Sequence, residues 1–185
     1  MASMGRVLAA RNDLTGAIDF YERASGRLPD LVFIAALGDL YKIAGREQDA
    51  QRQYELVEQI GRLGEASGTL YNRGLALFYA DHDLKVEEAY RLAAKEYEAR
   101  RDIYGADALA WTALKAGKTL EAQAAAKEAL RLGTKDARLF YHAGMIAQAA
   151  GDKDKARRYL QSAISLNPKF EPLQAEICRK TLESL

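Results

Sequence analysis

Alanine recurs along this chain at a nearly constant interval. Five positions show the pattern, at intervals of 33, 39, 33 and 34 residues: Ala17, Ala50, Ala89, Ala122 and Ala156. A turn-like site lies about five residues before each alanine, and these sites are Asn12, Gly45, residues 81–84, Gly117 and Gly151. A period of this size is typical of stacked supersecondary units, each of which buries its apolar face against the next. The chain is therefore predicted to be an array of about five similar units.

The apolar pattern inside each unit predicts two helices joined by a tight turn. In the last unit, Leu139 and Ala143 share one helical face, and Ala156 and Leu160 share another after a turn at residues 149–152. Each helix has about 13 residues, a length at which an isolated helix is marginal in water. Packing between helices must therefore provide most of the stability of each unit.

The signature of the units resembles that of the tetratricopeptide repeat (TPR) family. In the fifth unit the matching residues are Phe140, Gly144, Gly151, Ala156, Leu160, Ala163 and Pro168. In the second unit they are Leu37, Gly38, Tyr41, Gly45, Ala50 and Tyr54. The resemblance implies an all-α fold, an α-solenoid in which about five helical hairpins form a right-handed superhelix, followed by a C-terminal capping helix.

The resemblance also sets the expected boundaries of a single TPR domain over residues 1–185. The repeats are expected at about residues 1–30, 31–64, 70–102, 103–136 and 137–170, with the capping helix at 171–185. The first unit begins near the fourth position of its first helix, so we expect the chain to be part of a longer protein. The interval of 39 residues before Ala89 predicts either a longer connection near residues 61–68 or an extended second helix in the second unit.

Composition limits the classes of partner. The chain has 27 basic and 26 acidic residues, and this balance argues against nucleic acid, whose binding requires a basic surface. No apolar run is long enough for a membrane span, and no signal peptide is visible at the start. Cys178 is the single cysteine, so a reducing compartment such as the cytoplasm fits the sequence, although the sequence does not fix the localisation.

The TPR resemblance implies a partner-binding groove lined by the first helix of each hairpin. The groove residues expected from the register are Asp39, Lys42, Tyr71, Phe78, Tyr104, Asp107, Trp111, Tyr141, His142 and Met145. Phe78, Trp111 and Met145 occupy equivalent positions in three successive units. Two arrangements remain open for them: an exposed apolar stripe, which would mark an interaction site, or packing against the neighbouring repeat as core.

Motifs for chemistry are weak in this sequence. Residues 81–83 read Asp-His-Asp, but such residues at a hairpin turn are more often solvated turn formers than metal ligands. His142 has no nucleophilic partner that the sequence reveals, and the phosphate-loop, zinc-protease and serine-hydrolase motifs are missing. We therefore expect no enzymatic activity, no cofactor and no metal site. The carboxylate clamp of some TPR domains is also disfavoured, because Asp39 and Asp107 would repel a carboxylate.

Three functional hypotheses follow. The leading one is a protein–protein interaction scaffold that binds a peptide or helix of a partner in the concave groove. The second is a non-catalytic regulatory or substrate-recruiting segment of a larger enzyme, such as a transferase. The third is a self-associating assembly module, in which terminal repeats of two copies stack to form a homo-oligomer.

Overall fold

The chain folds entirely into helices in the part that the structure describes. A computed structural model describes residues 1–67 and 73–185, without the side chain of Glu65. The helices are α1 (Ala2–Ala10), α2 (Leu14–Arg27), α3 (Leu31–Ile43), α4 (Glu47–Ala66), α5 (Arg73–Asp81), α6 (Val86–Ala99), α7 (Ile103–Lys115), α8 (Thr119–Ala129), α9 (Ala137–Ala149), α10 (Lys153–Leu166) and α11 (Pro172–Ser184). The expected all-α fold of successive hairpins with a final capping helix is confirmed.

The helices divide into two compact units, Met1–Thr69 and Leu70–Leu185. In the first unit, α1 packs against α2 and α3 against α4. In the second unit, the hairpins are α5–α6, α7–α8 and α9–α10, and α11 packs against α10. The helices that open the hairpins of the second unit also contact one another in order, α5 with α7 and α7 with α9. We call the surface formed by α5, α7 and α9 the first-helix face.

Every hairpin closes with the same backbone turn. A residue in the left-handed conformation ends the first helix, and these residues are Asn12, Gly45, Asp83, Gly117 and Gly151, with φ between 54° and 81°. The following N–H donates to the carbonyl five residues earlier, as from Asp152 N to Ala147 O at 3.0 Å. This bond satisfies a carbonyl that the helix end would otherwise leave unpaired. The sequence therefore located all five turns, and the third lies at Asp83 within the expected stretch.

The periodic alanines are buried inside each hairpin. Ala17, Ala50, Ala89, Ala122 and Ala156 are at most 1% exposed. Glycines of the first helix make close contacts too, because a Cβ added at Gly144 would lie 2.6 Å from the Leu160 side chain and one at Gly38 would lie 2.5 Å from that of Tyr54. Small residues thus allow the two helices to approach, and a large residue of the second helix fills the remaining space.

The long interval before Ala89 has two structural sources. Helix α4 has 20 residues, so the second helix of the second hairpin is extended. This was one of the two alternatives that the sequence analysis left open. In addition, the turn of the third hairpin has one more residue than the others, because Lys85 also adopts a positive φ of 40° before α6 begins. Sequence analysis placed all the extra residues near 61–68 and missed the insertion at the turn.

An ion-pair cluster attaches α5 to the two helices that follow it. The Arg73 guanidinium lies 2.6 Å from Glu96 Oε1 and 3.2 Å from Asp102 Oδ1. Glu96 is buried and Arg73 is partly buried, so this pair is far more protected from solvent than a surface ion pair. Asp102 also caps α7 by accepting a hydrogen bond from the backbone N–H of Gly105. The cluster therefore fixes the first-helix face at its α5–α7 edge.

Within residues 1–67 and 73–185, none of the helices combines the length and the apolar character that a membrane span requires.

Candidate functional site

The structure describes nine of the ten expected groove residues, and these nine fall into three groups. Asp39 and Lys42 belong to the first unit, and Tyr71 lies outside the described residues. Five residues of the second unit are buried: Phe78, Asp107, Trp111, Tyr141 and His142. Tyr104 and Met145 remain accessible, Tyr104 with 38% of its surface exposed.

Phe78 and Trp111 pack in the core of the second unit. Their exposed fractions are 3% and 2%, so the exposed-stripe arrangement is not observed for these two side chains. Met145, the third member of the set, is partly exposed on α9. Of the three side chains for which an exposed stripe and core packing were both open, Met145 alone is therefore partly accessible.

The floor is a cluster of aromatic rings centred on Trp111. The His142 ring stacks on the indole with centroids 4.4 Å apart and planes 12° from parallel. Tyr141 lies 5.5 Å from Trp111 in a tilted arrangement and is followed by Phe170 at 5.4 Å from Tyr141. Burial raises the pKa of the Tyr141 hydroxyl, so the ring is neutral at ordinary pH. We call Trp111, Tyr141, His142 and Phe170 the aromatic floor.

Two carboxylates hold the polar atoms of the aromatic floor. Trp111 Nε1–H donates to Asp81 Oδ1 at 2.8 Å, which links α7 to α5. His142 Nδ1–H donates to Asp107, with the two carboxylate oxygens at 2.9 and 3.0 Å, which links α9 to α7. These two bonds connect all three helices of the first-helix face, so the orientation of both rings is fixed.

Desolvation dominates the electrostatics of Asp81. Burial of its carboxyl group raises the pKa, while the nearby His142 ring and the Trp111 N–H partly oppose this shift. The other ring nitrogen of His142, Nε2, is buried and has no hydrogen-bond partner among the described residues. A few directed hydrogen bonds therefore hold the polar atoms of the aromatic floor.

Phe78 belongs to a smaller contact at the end of α5. Its ring lies 4.5 Å from the His82 ring, and His82 Nδ1–H donates to the Phe78 carbonyl at 2.7 Å. The centroid of the Tyr79 ring lies 5.9 Å from that of the Phe78 ring. Phe78 therefore anchors the turn of the third hairpin.

Accessible side chains surround the aromatic floor. Tyr104 lies one helical turn before Asp107 on α7, and Arg138 and Met145 flank Tyr141 on α9 at helical spacing. Arg138 is 36% exposed in its side chain and lies 4.0 Å from Glu171. Tyrosine, methionine and arginine are enriched at protein interfaces. We call Tyr104, Arg138 and Met145 the accessible rim.

Lys115 adds a positive charge near the floor. Its ammonium group lies 4.8 Å from the centroid of the Trp111 ring and forms an ion pair with Asp83 at 2.7 Å. The contact joins α7 to the turn that follows α5. Lys115 therefore covers part of the indole.

Asp39 has a local structural contact in the first unit. Its carboxylate accepts a hydrogen bond from the Tyr54 hydroxyl at 2.8 Å, which ties α3 to α4. Lys42 is exposed on α3. The carboxylate at Asp39 is thus engaged within its own hairpin.

Sequence reasoning missed two residues that contribute to the site, Phe170 and Lys115. Phe170 lies in the connection to α11, and its counterpart in the preceding unit is Asp136, so the repeat pattern does not predict an aromatic residue there. Lys115 resembles any other lysine at the end of a helix, and its position over Trp111 depends on the turn of the neighbouring hairpin. Aromatic character at both positions 141 and 170 was the one available hint of a continuous cluster.

Among the described residues, no three or more His, Cys, Asp or Glu side chains are grouped so that they could hold a metal ion. Cys178 is buried, and this burial raises the pKa of its thiol to about 11, which leaves it a poor nucleophile.

Comparisons with known proteins agree with the repeat assignment. A model of the tetratricopeptide repeat matches residues 137–170, which include the hairpin α9–α10. Cellulose synthase operon protein C of Komagataeibacter xylinus is 44% identical over 57 residues, which are 31% of this chain and 4% of that protein. The match therefore spans only a small part of the relative's length.

Two solved structures are similar across nearly the whole chain. The crystal structure of a thermophilic TPR protein from Thermus thermophilus matches with a TM-score of 0.61 at 17% identity, covering 100% of this chain and 97% of the other. YrrB, a TPR protein with an unusual peptide-binding site, matches with a TM-score of 0.47 at 18% identity, covering 97% and 90%. The match to the Thermus protein shows the fold, whereas the TM-score of the YrrB match is too low to support an inference. The family model thus identifies residues 137–170 as a tetratricopeptide repeat, and the fold of the chain is that of a TPR protein.

Proposed function

We propose that this chain is a protein-interaction module that binds a peptide or helix of a partner at the first-helix face of the second unit. TPR domains are generally protein–protein interaction scaffolds. The observation that supports the finer proposal is the accessible rim, Tyr104, Arg138 and Met145, placed on the same helices as the rigid aromatic floor. Because the aromatic floor is already rigid, binding of a partner would cost little conformational entropy in this part of the surface.

The buried residues and the rim have different roles in this proposal. Trp111, Tyr141 and His142 set the shape of the surface, while the rim makes direct contacts. Arg138 supplies a charge for a carboxylate or carbonyl of the partner, since Glu171 lies at the 4.0 Å limit of an ion pair. Lys42 of the first unit is exposed and stays a candidate contact, whereas the Asp39 carboxylate, also a candidate, is already bound by the Tyr54 hydroxyl.

Affinity capture from a lysate of the source cells tests this proposal. The bait variant is Tyr104→Ala/Arg138→Ala, which changes only accessible side chains, and captured proteins are quantified by mass spectrometry. Truncating Trp111 is unsuitable, because loss of a buried tryptophan removes about 3–5 kcal/mol of stability and would confuse unfolding with lost binding.

The matched control is Leu120→Ala on α8, whose side chain is 83% exposed and away from the first-helix face. A partner that the wild type and the control retain but the double variant loses supports the proposal. Equal capture by all three baits would contradict it. A thermal melt of each bait confirms that all are folded at the temperature of capture.

A second proposal follows from the relative encoded with a cellulose synthase. The chain would be a non-catalytic segment of a larger protein that acts with a polysaccharide-synthesising enzyme, and the support is 44% identity over 57 residues. Deletion of the gene in the source cells is expected to lower cellulose yield, and the wild-type gene should restore it. Unchanged cellulose in the deletion strain, or no cellulose in the wild-type strain, would contradict this proposal.

A further inference from the structure

A cavity of about 300 Å³ lies between α8, α9 and α10 in the second unit. The base of this cavity is apolar and consists of Ala126 from α8 together with Ala143, Ile146 and Ala147 from α9. All four are buried by the surrounding structure, each at most 9% exposed. A cavity of this size is at the lower end of the range for ligand pockets, with room for a bulky side chain but not for a large cofactor.

The position of the cavity separates it from the first-helix face. Helix α9 contributes Tyr141 and Met145 to that face, whereas Ala143 and Ile146 line the cavity. The remaining walls come from the second helices and the residues that flank them, and include Tyr159 of α10, whose ring centroid lies 6.1 Å from that of Phe140 in a stacked arrangement. Binding in this cavity would therefore leave the accessible rim free.

The mouth of the cavity has an uncompensated positive charge. Lys155 forms an ion pair with Asp152 at 3.1 Å, so these two charges cancel locally. Lys127 also lines the cavity and is exposed, and it forms no ion pair within the part of the chain that the structure describes. An apolar floor beside a free ammonium group is complementary to an apolar side chain beside a carboxylate.

We propose that this cavity is a second docking site, whose occupant is an acidic segment of a partner protein with one bulky apolar side chain. That side chain enters the space above Ala126 and Ile146, and a neighbouring carboxylate pairs with Lys127. The charge at the mouth selects against basic segments with the same apolar residue. The site depends on the fold of hairpins α7–α8 and α9–α10 and not on occupancy of the first-helix face.

Short peptides of defined charge test this proposal on the full chain. The probe is acetyl-Glu-Phe-Glu-amide, with acetyl-Lys-Phe-Lys-amide and acetyl-Glu-Ala-Glu-amide as comparison probes. Methyl NMR is expected to show saturable shifts at Ala126, Ala143 and Ile146 with the first probe. Each comparison probe should bind about fivefold or more weakly, because one reverses the charge and the other lacks the apolar group.

Two charge reversals decide the role of Lys127. Lys127→Glu should weaken binding of the acidic probe roughly three- to tenfold at low salt, and added salt should reduce the difference. Lys95→Glu, at an exposed position on α6, is the matched control and should leave the affinity unchanged.

Three outcomes would overturn the proposal: no shift at the cavity methyl groups at millimolar probe, equal shifts from the basic probe, or equal effects of the two charge reversals. Tyr104→Ala/Arg138→Ala should bind the acidic probe as the wild type does. A loss of lysate partners by this double variant would therefore report on the first-helix face alone. The two proposals can thus fail separately.

Discussion

The contact between Gly144 and Leu160 shows at the scale of single residues what the repeat signature does. A Cβ at Gly144 would meet two side-chain carbons of Leu160 at 2.6 Å and its backbone nitrogen at 3.2 Å. A flexible side chain can turn away, but the backbone of α10 cannot do so without a shift of the helix. The glycine thus fixes the distance between the two helices of the last hairpin.

Gly144→Ala is therefore expected to lower the free energy of unfolding by about 1–3 kcal/mol, through overpacking. Gly26→Ala on α2 is the matched control, because a Cβ there has no neighbour within 4 Å. Alanine is the better helix former, so the control should gain about 0.5–1 kcal/mol. Urea denaturation of the three proteins measures both changes. Equal stability of Gly144→Ala and the wild type would contradict the close-approach account.

The carboxyl group of Asp81 provides a prediction about pH. Its pKa is raised in the folded state by desolvation, so the folded state binds this proton more tightly than the unfolded state. The free energy of unfolding therefore falls as pH rises through the unfolded pKa and up to the folded one. Asp81→Asn keeps an oxygen for the Trp111 N–H and removes this decrease.

The expected result is a difference in stability that grows in favour of Asp81→Asn as pH rises from about 3 towards neutrality. Denaturation at a series of pH values measures it. Asp154→Asn, at an exposed position on α10, controls for the loss of one carboxyl group. A difference between Asp81→Asn and the wild type that stays constant with pH would show that the carboxylate is not desolvated.

The sequence predicts the small residues well and the aromatic residues less well, for a physical reason. Helical periodicity tells which residues of α7 share a face with Trp111, and in the structure the indole contacts Asp81 of α5 and His142 of α9. Burial of the ring depends on what the next hairpin places above it, here Tyr141 and His142. Such contacts between units are not encoded in the period of either unit alone.

At the scale of elements, the hairpin turns are the most uniform feature of the chain. Five turns share a left-handed residue and a bond that spans five residues. Glycine occupies this position in three of them, since it adopts a positive φ without a steric penalty. Asn12 and Asp83 occupy the other two.

Gly151→Ala is expected to destabilise the last hairpin by about 1 kcal/mol, because a side chain disfavours the φ of 81°. Open space surrounds this glycine, so the effect is conformational and not steric. The converse change, Asn12→Gly, should be neutral or slightly stabilising, because glycine adopts the φ of 63° without strain. Thermal melts of both variants test these two predictions. A Gly151→Ala variant as stable as the wild type would contradict the conformational cost assigned to a side chain at this position.

The length of α4 illustrates a limit of prediction at this scale. The interval of 39 residues showed that residues had been inserted, and an extended helix was one of two expectations. Choosing between helix and loop required the tertiary context of residues 61–66, where Gly61 and Gly64 lower the helix propensity. Local propensity alone would have ended α4 too early.

At the scale of the whole molecule, α1 exposes an apolar edge. Met4 and Val7 lie nearly one helical turn apart and are 50% and 48% exposed. Neighbouring exposed apolar side chains of this kind are typical of surfaces that contact another protein. We propose self-association through this edge, as the third hypothesis from the sequence holds.

Met4→Lys/Val7→Lys is then expected to dissociate a dimer that the wild type forms at high concentration, because two buried charges would oppose the contact. Sedimentation velocity over a range of concentrations measures the assembly. Leu120→Lys, at an exposed apolar position on α8, is the control and should sediment as the wild type does. A wild type that remains monomeric at every concentration would end this proposal.

The central claim is that a partner binds at the first-helix face. Hydrogen–deuterium exchange of the full chain, with and without the partner that the Tyr104→Ala/Arg138→Ala variant fails to capture, tests it most directly. The account predicts new protection in α7 and α9 around Tyr104, Arg138 and Met145, with α8 and α10 unchanged. Protection confined to α8 and α10, or no new protection in α7 and α9, would contradict the account.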